Sequence, residues 1–187
     1  MTYDILLSGG TIVDGTGKGG FIADVGISGD RIVAVEPKLS LKEAKTVLDA
    51  RGLVVCPGFI DHHTHYDAQV LWDPMVTCSS WHGVTSIIMG NCGVGLAPCK
   101  PADREALVGD LVNVEGMSLD VLQRGVQWSW ESVGEYLQAI SAKGVGVNIG
   151  FMVPLSPLRQ YVLGEESKER AATEKEIEQL RSLFRTA

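Results

Sequence analysis

Cysteine is scarce: four occur in 187 residues, at 56, 78, 92 and 99, and no two form a C-x-x-C pair. That excludes a disulfide scaffold and a paired-cysteine redox motif, and predicts reduced thiols in a cytoplasmic protein. No apolar run approaches the roughly 18 residues that span a bilayer. The start, Met1-Thr2-Tyr3-Asp4, lacks the basic segment of a secretory leader, so no signal peptide is expected, and with no spanning run no membrane partner is expected either. Basic residues are outnumbered, 16 against 23 acidic, for a net charge of −7. A nucleic-acid partner is not expected, since phosphate neutralisation needs the opposite surplus. Neither G-x-x-x-x-G-K-[ST] nor G-x-S-x-G occurs, which leaves a phosphate loop and a nucleophile elbow unsupported. Gly15, Gly17 and Gly20 do fit G-x-G-x-x-G, but a dinucleotide loop must open a helix and the residues after Gly20 alternate as a strand. A plain glycine turn is the expectation there.

What is present divides near residue 57. Residues 1–56 are β-rich and punctuated by glycine. Ile5, Leu6 and Leu7 precede Gly9-Gly10, and Phe21, Ala23, Val25 and Ile27 alternate with polar or small residues. Arg31 to Val35 and Leu53 to Val55 are further strand candidates, so the segment reads as a meander forming one layer of a small, incomplete sandwich. Residues 57–187 change character after Pro57-Gly58. Apolar strand candidates at Phe59–His65, Val84–Met89 and Val145–Met152 alternate with helical segments. One helix carries Val133, Tyr136, Leu137 and Ile140 on a face. Another opens on the capping box Thr173/Glu176, with Ile177, Leu180, Leu183 and Phe184 behind it. Alternating strands and helices predict α/β architecture with a parallel sheet. The stretch from Asn91 to about Trp130 reads as a long loop with two short helical pieces, and long loops in such domains are often functional.

Three of the four histidines lie in Pro57-Gly58-Phe59-Ile60-Asp61-His62-His63-Thr64-His65. On a strand, residues i and i+2 share a face about 7 Å apart. His63 and His65 therefore point one way, and His62 and Thr64 the other. Two imidazoles on one face can converge on a zinc ion, but His-x-His is also common as plain surface or core histidine. Cys92 follows the Val84–Met89 strand within Gly90-Asn91-Cys92-Gly93, where glycine permits a sharp turn. It is either a thiolate ligand or a small buried hydrophobe. The hydrophobe reading is kept for Cys56, Cys78 and Cys99. His82 closes a helical piece over Met75–His82, the four tryptophans read as packing, and the charge run from Glu165 to Glu178 reads as a solvated helix face.

Pro57-Gly58-Phe59-Ile60-Asp61-x-His63-Thr64-His65 resembles the first barrel strand of the amidohydrolase superfamily. The glycine-rich meander, with Gly9-Gly10-Thr11-Ile12-Val13-Asp14-Gly15 and Gly29-Asp30-Arg31-Ile32, is similar to that superfamily's N-terminal β-domain. Gly83-Val84-Thr85 through Gly90-Asn91-Cys92-Gly93 is similar to the second strand of its D-aminoacylase branch, the N-acyl-D-amino-acid deacylases. The resemblance implies a zinc-dependent hydrolase of N-acyl-D-amino acids on a TIM-type (β/α)8 barrel. It holds one or two zinc ions, with His63 and His65 as imidazole ligands and Cys92 as the ligand of the tighter ion. It also implies two further histidines and a late aspartate that takes a proton from water and passes it to the leaving amine.

This chain has no histidine after His82, and residues 57–187 are about half of the ~250 that a full barrel takes. The expectation is the N-terminal part of such an enzyme, inactive and poorly stable alone, with its catalytic aspartate downstream. A small N-acyl amino acid is the expected partner, and a homo-oligomer is compatible with the pattern. A hydantoinase- or dihydroorotase-like cyclic amidohydrolase and a non-catalytic scaffold on the same fold are the alternatives. Retained ligand residues favour an enzyme over a scaffold. Relatives of the cyclic kind bridge their metals with a modified lysine rather than a cysteine.

Overall fold

The alternation Phe21, Ala23, Val25, Ile27 does form a strand, with Ala23 and Val25 turned into the first sheet's small core beside Ile12. The computed structural model describes residues 2–187, which divide into two units, one ending at Pro57 and the other covering Gly58–Ala187. In the first unit β1 (Tyr3–Ile12) pairs antiparallel with β2 (Phe21–Ser28), and β2 with β3 (Arg31–Glu36). Two strands then run parallel to β1: β4 (Ala44–Asp49) and the short β5 (Val54–Val55). The parallel returns mean that only the first three strands form a meander. β4 was not legible as a strand, because Ala44-Lys45-Thr46-Val47-Leu48-Asp49 lacks strict alternation and gains its strand character from pairing with β1.

Gly15, Gly17 and Gly20 lie in the exposed bend before β2, so the glycine turn is what forms. A buried carboxylate organises this sheet. β1 slips register between Leu7 and Gly10. There Asp24 Oδ1 accepts from the Gly9 N–H at 2.7 Å and the Ser8 hydroxyl at 3.2 Å, while Oδ2 accepts from the Leu39 N–H at 2.8 Å. Burial alone would raise the Asp24 pKa, but these three donors outweigh it and hold the carboxyl below its usual range.

In the second unit β6 (Phe59–Asp61), β7 (Val84–Met89) and β8 (Asn148–Phe151) form a parallel sheet in that order. Between β6 and β7 lie a 3-10 turn over Gln69–Leu71 and one short turn of α-helix, α1 (Thr77–Ser80). α1 is shorter than the Met75–His82 segment expected, because Val76 sits in the left-handed region at φ 47° and starts the helix late. Between β7 and β8 come α2 (Arg104–Glu115), α3 (Leu119–Gly125) and α4 (Val133–Lys143). The 12-residue α2 is more than the short piece expected in that connection. Its buried residues, Leu107, Val108 and Leu111, fall on one face at helical spacing. After β8 follow α5 (Leu155–Leu163), for which the sequence carried no recognised signal, and α6 (Glu174–Arg185).

The core of this unit gathers Ile87 and Met89 of β7 with Leu96, Leu107, Leu111, Leu122, Tyr136 and Ile140. Trp130 anchors it, since the indole N–H donates to the Leu96 carbonyl at 2.8 Å and the ring lies 5.1 Å from Tyr136. Trp72 and Trp81, by contrast, are exposed. Ile87 thus faces the helices and is fully buried, whereas Phe59 and Ile60 of β6 are exposed at 59% and 68%. Thr173 and Glu176 form the expected capping box on α6, yet none of that helix's residues is buried and Phe184 stays exposed. The charge run pairs internally: Arg170 meets Glu166 and Glu176, each at 2.8 Å. Among the described residues no helix is long and apolar enough to cross a membrane.

Candidate metal centre

β6 and β7 end side by side, and both candidate segments leave from those ends. The first strand is shorter than expected: it stops at Asp61, and the residues through His65 are irregular. Bonds from Thr64 and Asn91 replace the lost ladder. Thr64 donates both its N–H, at 3.1 Å, and its hydroxyl, at 2.8 Å, to the Ile88 carbonyl. The buried Asn91 amide donates to the Thr64 and Ile88 carbonyls at 3.2 and 2.8 Å. These bonds lash the histidine segment to the end of β7.

The turn after β7 runs through Gly90, Cys92 and Gly93 at φ 77°, 54° and 76°. A Cβ on Gly90 would lie 1.8 Å from the Met152 carbonyl oxygen, so only glycine fits. Cys92 bears a side chain in the left-handed region, which costs about 1–2 kcal/mol and is tolerated where the surroundings determine it.

His63, His65 and Cys92 each offer one donor atom, and the three atoms lie within 4.8 Å of one another. His63 Nε2 is 3.2 Å from Cys92 Sγ, and the two imidazole rings are 5.5 Å apart at 61°. Two ligands at about 2.1 and 2.3 Å from a tetrahedral zinc ion stand about 3.6 Å apart. The histidine–cysteine pair therefore needs to open by only a few tenths of an ångström. One thiolate and two imidazoles are a donor set that suits zinc. No other such group of three occurs among the described residues. His62 and His82 are exposed and stand outside it.

The other cysteines divide. Cys99 is buried, and burial, with Asp103 adding, pushes its thiol up to about 12. Cys56 and Cys78 are exposed rather than buried, and Cys78 Sγ lies 3.0 Å from the Tyr66 hydroxyl.

Two acidic residues behind the site had not been singled out from the sequence. Asp67 is fully buried. Its Oδ2 accepts from the Gly90 N–H at 3.3 Å, its backbone carbonyl accepts from the Tyr136 hydroxyl at 2.7 Å, and its Oδ1 has no partner. Burial pushes its carboxyl up to about 7, and nearby Glu115 adds to the rise. Asp67 continues the every-second-residue spacing of His63 and His65, and that was its legible signal. Glu115, at the end of α2, comes within 3.6 Å of His65 and had no signal in the sequence. A separate cavity of about 560 Å³ lies between α2 and α3, lined by Arg104, Val112, Leu119 and Trp128. The three donors do not line it.

The model of the amidohydrolase family matches residues 46–186. The chain belongs to the amidohydrolase family. It is 40% identical over 185 residues to a D-aminoacylase of Alcaligenes xylosoxydans xylosoxydans, covering 99% of this chain and 35% of that protein. The crystal structure of a D-aminoacylase superposes with a TM-score of 0.77 at 39% identity, over 97% of this chain and 35% of that one. An N-acyl-D-glutamate deacylase of Bordetella bronchiseptica, solved with zinc and a phosphonate inhibitor, superposes with a TM-score of 0.80 at 28% identity. It covers all of this chain and 36% of that one. The mixed α/β fold of this chain matches the part of the D-aminoacylase fold that it covers, and the chain spans about a third of the length of these relatives.

Proposed function

We infer that this chain carries the metal-binding end of a zinc-dependent amidohydrolase that cleaves the amide bond of N-acyl-D-amino acids. The observation that carries the reading is the convergence of His63, His65 and Cys92 at the ends of two adjacent parallel strands. Clustering at strand ends is what a (β/α)8 active site requires. β6, β7 and β8 with their helices, residues 57–187, are read as the first part of that barrel. Residues 1–56 are read as an incomplete β-sandwich domain ahead of it.

His63 and His65 would hold zinc through imidazole nitrogens and Cys92 through its thiolate, in a site of one or two ions. Zinc bound there supplies Lewis acidity toward an amide carbonyl oxygen and lowers the pKa of water. The chain's own residues do the positioning: Thr64 and Asn91 fix the histidine segment against β7, and Gly90 lets the Cys92 turn pass close to Met152. The resemblance places two further imidazoles and the acid/base aspartate on later barrel strands. The cyclic-amide reading is disfavoured by a cysteine standing within reach of the two histidines. Reduced, exposed Cys56 and Cys78 agree with a cytoplasmic setting, and self-association is compatible with the exposed β6 face.

The test is metal analysis paired with turnover. A complete enzyme that carries this chain should contain zinc and release acetate from N-acetyl-D-amino acids, in preference to their L-enantiomers and to cyclic ureides. Absence of zinc, or turnover confined to cyclic substrates, would overturn it.

A further inference from the structure

Glu115 is oddly placed for a glutamate. It is the last residue of α2, before Gly116 closes the helix at φ 64° with its N–H on the Val112 carbonyl. A carboxylate at a helix C-terminus faces the negative end of the macrodipole and is disfavoured there. Burial is inverted as well: the Glu115 side chain is only 22% exposed, while neighbouring Val114 is 51% exposed. Apolar burial would favour the reverse, so something other than the helix or the core sets this side chain. What it faces is His65. Glu115 Oε1 lies 3.6 Å from His65 Nδ1, and that nitrogen is buried without a hydrogen-bond partner. A buried ring nitrogen left unpaired is costly, and a shift of a few tenths of an ångström would complete an N–H to carboxylate bond.

We propose that Glu115 is a positioning residue for the metal centre. It accepts a hydrogen bond from His65 Nδ1–H, fixes the tautomer and ring plane of that imidazole, and so presents Nε2 toward His63 and Cys92. The inference rests on the metal-centre reading above and deepens it. Metal-bound histidines gain orientation and donor strength from a carboxylate on their other nitrogen. The geometry also gives the long β7–β8 connection a purpose. Leu107, Val108 and Leu111 bury one face of α2, and that anchorage delivers its final residue to a histidine 50 positions earlier in the chain.

The experiment measures zinc affinity by competition with a chromophoric chelator, and the absorption of the cobalt-substituted protein, in Glu115→Ala and Glu115→Gln. Glu115→Ala should weaken zinc by about 10–100-fold. Glu115→Gln keeps an acceptor oxygen but loses the charge, and should weaken zinc by less than alanine does. Both should alter the cobalt spectrum, and glutamine should restore part of what alanine loses. A merely structural role would change melting without this rescue. Wild-type affinity and an unchanged cobalt spectrum in Glu115→Ala, with Cys92→Ala still losing zinc, would overturn this inference and leave the metal centre standing. If neither His63→Ala nor Cys92→Ala lowers zinc binding, the metal centre itself is wrong, and this inference goes with it. Should Glu115→Ala not fold, the same criterion applied to Glu115→Gln decides.

Discussion

His63 Nε2 and Cys92 Sγ stand 3.2 Å apart although 29 residues separate them in the chain. Nothing local joins them. β6 and β7 pair in parallel, Thr64 and Asn91 stitch the two strand ends together, and the left-handed turn at Cys92 swings the sulfur back toward the imidazole. The contact follows from three separate devices, and each can be removed singly.

Removing the sulfur should separate metal binding from stability. In the complete enzyme, Cys92→Ala should strip tightly bound zinc, as measured by metal content after dialysis. Cys92→Gly should strip it too. Glycine relieves about 1–2 kcal/mol of left-handed strain but makes the unfolded chain more flexible by about 0.5–1 kcal/mol. The metal-free glycine variant should therefore melt within a few degrees of the unaltered metal-free protein. Full zinc content in either variant would remove Cys92 from the site.

Gly90→Ala should be far more damaging than its single methyl suggests. The methyl would sit 1.8 Å from the Met152 carbonyl oxygen, at a φ of 77°. Urea unfolding should show a loss of about 3 kcal/mol or more, with zinc binding lost as the turn shifts. A change below about 1 kcal/mol would mean that the turn relaxes freely.

Tyr136→Phe tests the floor beneath the site. Tyr136 is fully buried and its hydroxyl donates to the Asp67 carbonyl at 2.7 Å. Phenylalanine keeps the packing and leaves a buried carbonyl unpaired, for a loss of about 1–3 kcal/mol in denaturant unfolding. No measurable change would show that another donor reaches Asp67.

Acid should loosen the first unit through Asp24. Burial raises this carboxyl's pKa, but the Leu39, Gly9 and Ser8 donors overcome that, and the folded value lies below the unfolded one. Such a group contributes stability fully present above the unfolded pKa of about 4, and lost as pH falls through the lower folded value. Asp24→Asn should flatten that acid limb and lower stability at neutral pH by about 1–3 kcal/mol. Hydrogen exchange of the β1 and β2 amides between about pH 2 and 6 reads the effect directly. An unchanged acid limb in Asp24→Asn would assign the acid sensitivity to other carboxylates.

The 187 residues on their own should bind a hydrophobic dye or self-associate. Phe59 and Ile60 are exposed at 59% and 68% on a parallel strand, whereas strands of parallel sheets are ordinarily covered on both faces. Burying a further 400 Å² or so of apolar surface is worth about 10 kcal/mol, comparable to the stability of a domain. A monomeric, cooperatively melting chain that also hydrolyses N-acetyl-D-amino acids would contradict this expectation.

Local chemistry was legible in the amino-acid sequence. The Thr173/Glu176 capping box, the apolar spacing of α4, the alternation of β2 and the glycine bend ahead of it each depend on neighbours a few residues away. His63, His65 and Cys92 were legible as donor types, because few side chains bind zinc, but the two imidazoles converge from an irregular segment after Asp61 and not from one face of a strand. Tertiary structure decided everything that depends on a distant partner. β4 is a strand because β1 pairs with it, Ile87 is buried in a cluster that also holds residues of α2 and α4, and the residues after Asp61 are held by bonds from Thr64 and Asn91 rather than by a ladder. The approach of Glu115 to His65 depends on where the end of α2 comes to rest beside the histidine segment, a matter of packing between segments far apart in the chain. Periodicity and motif spacing report only what a residue's near neighbours require, so no reading of residues 104–115 alone could have placed that carboxylate behind the histidine.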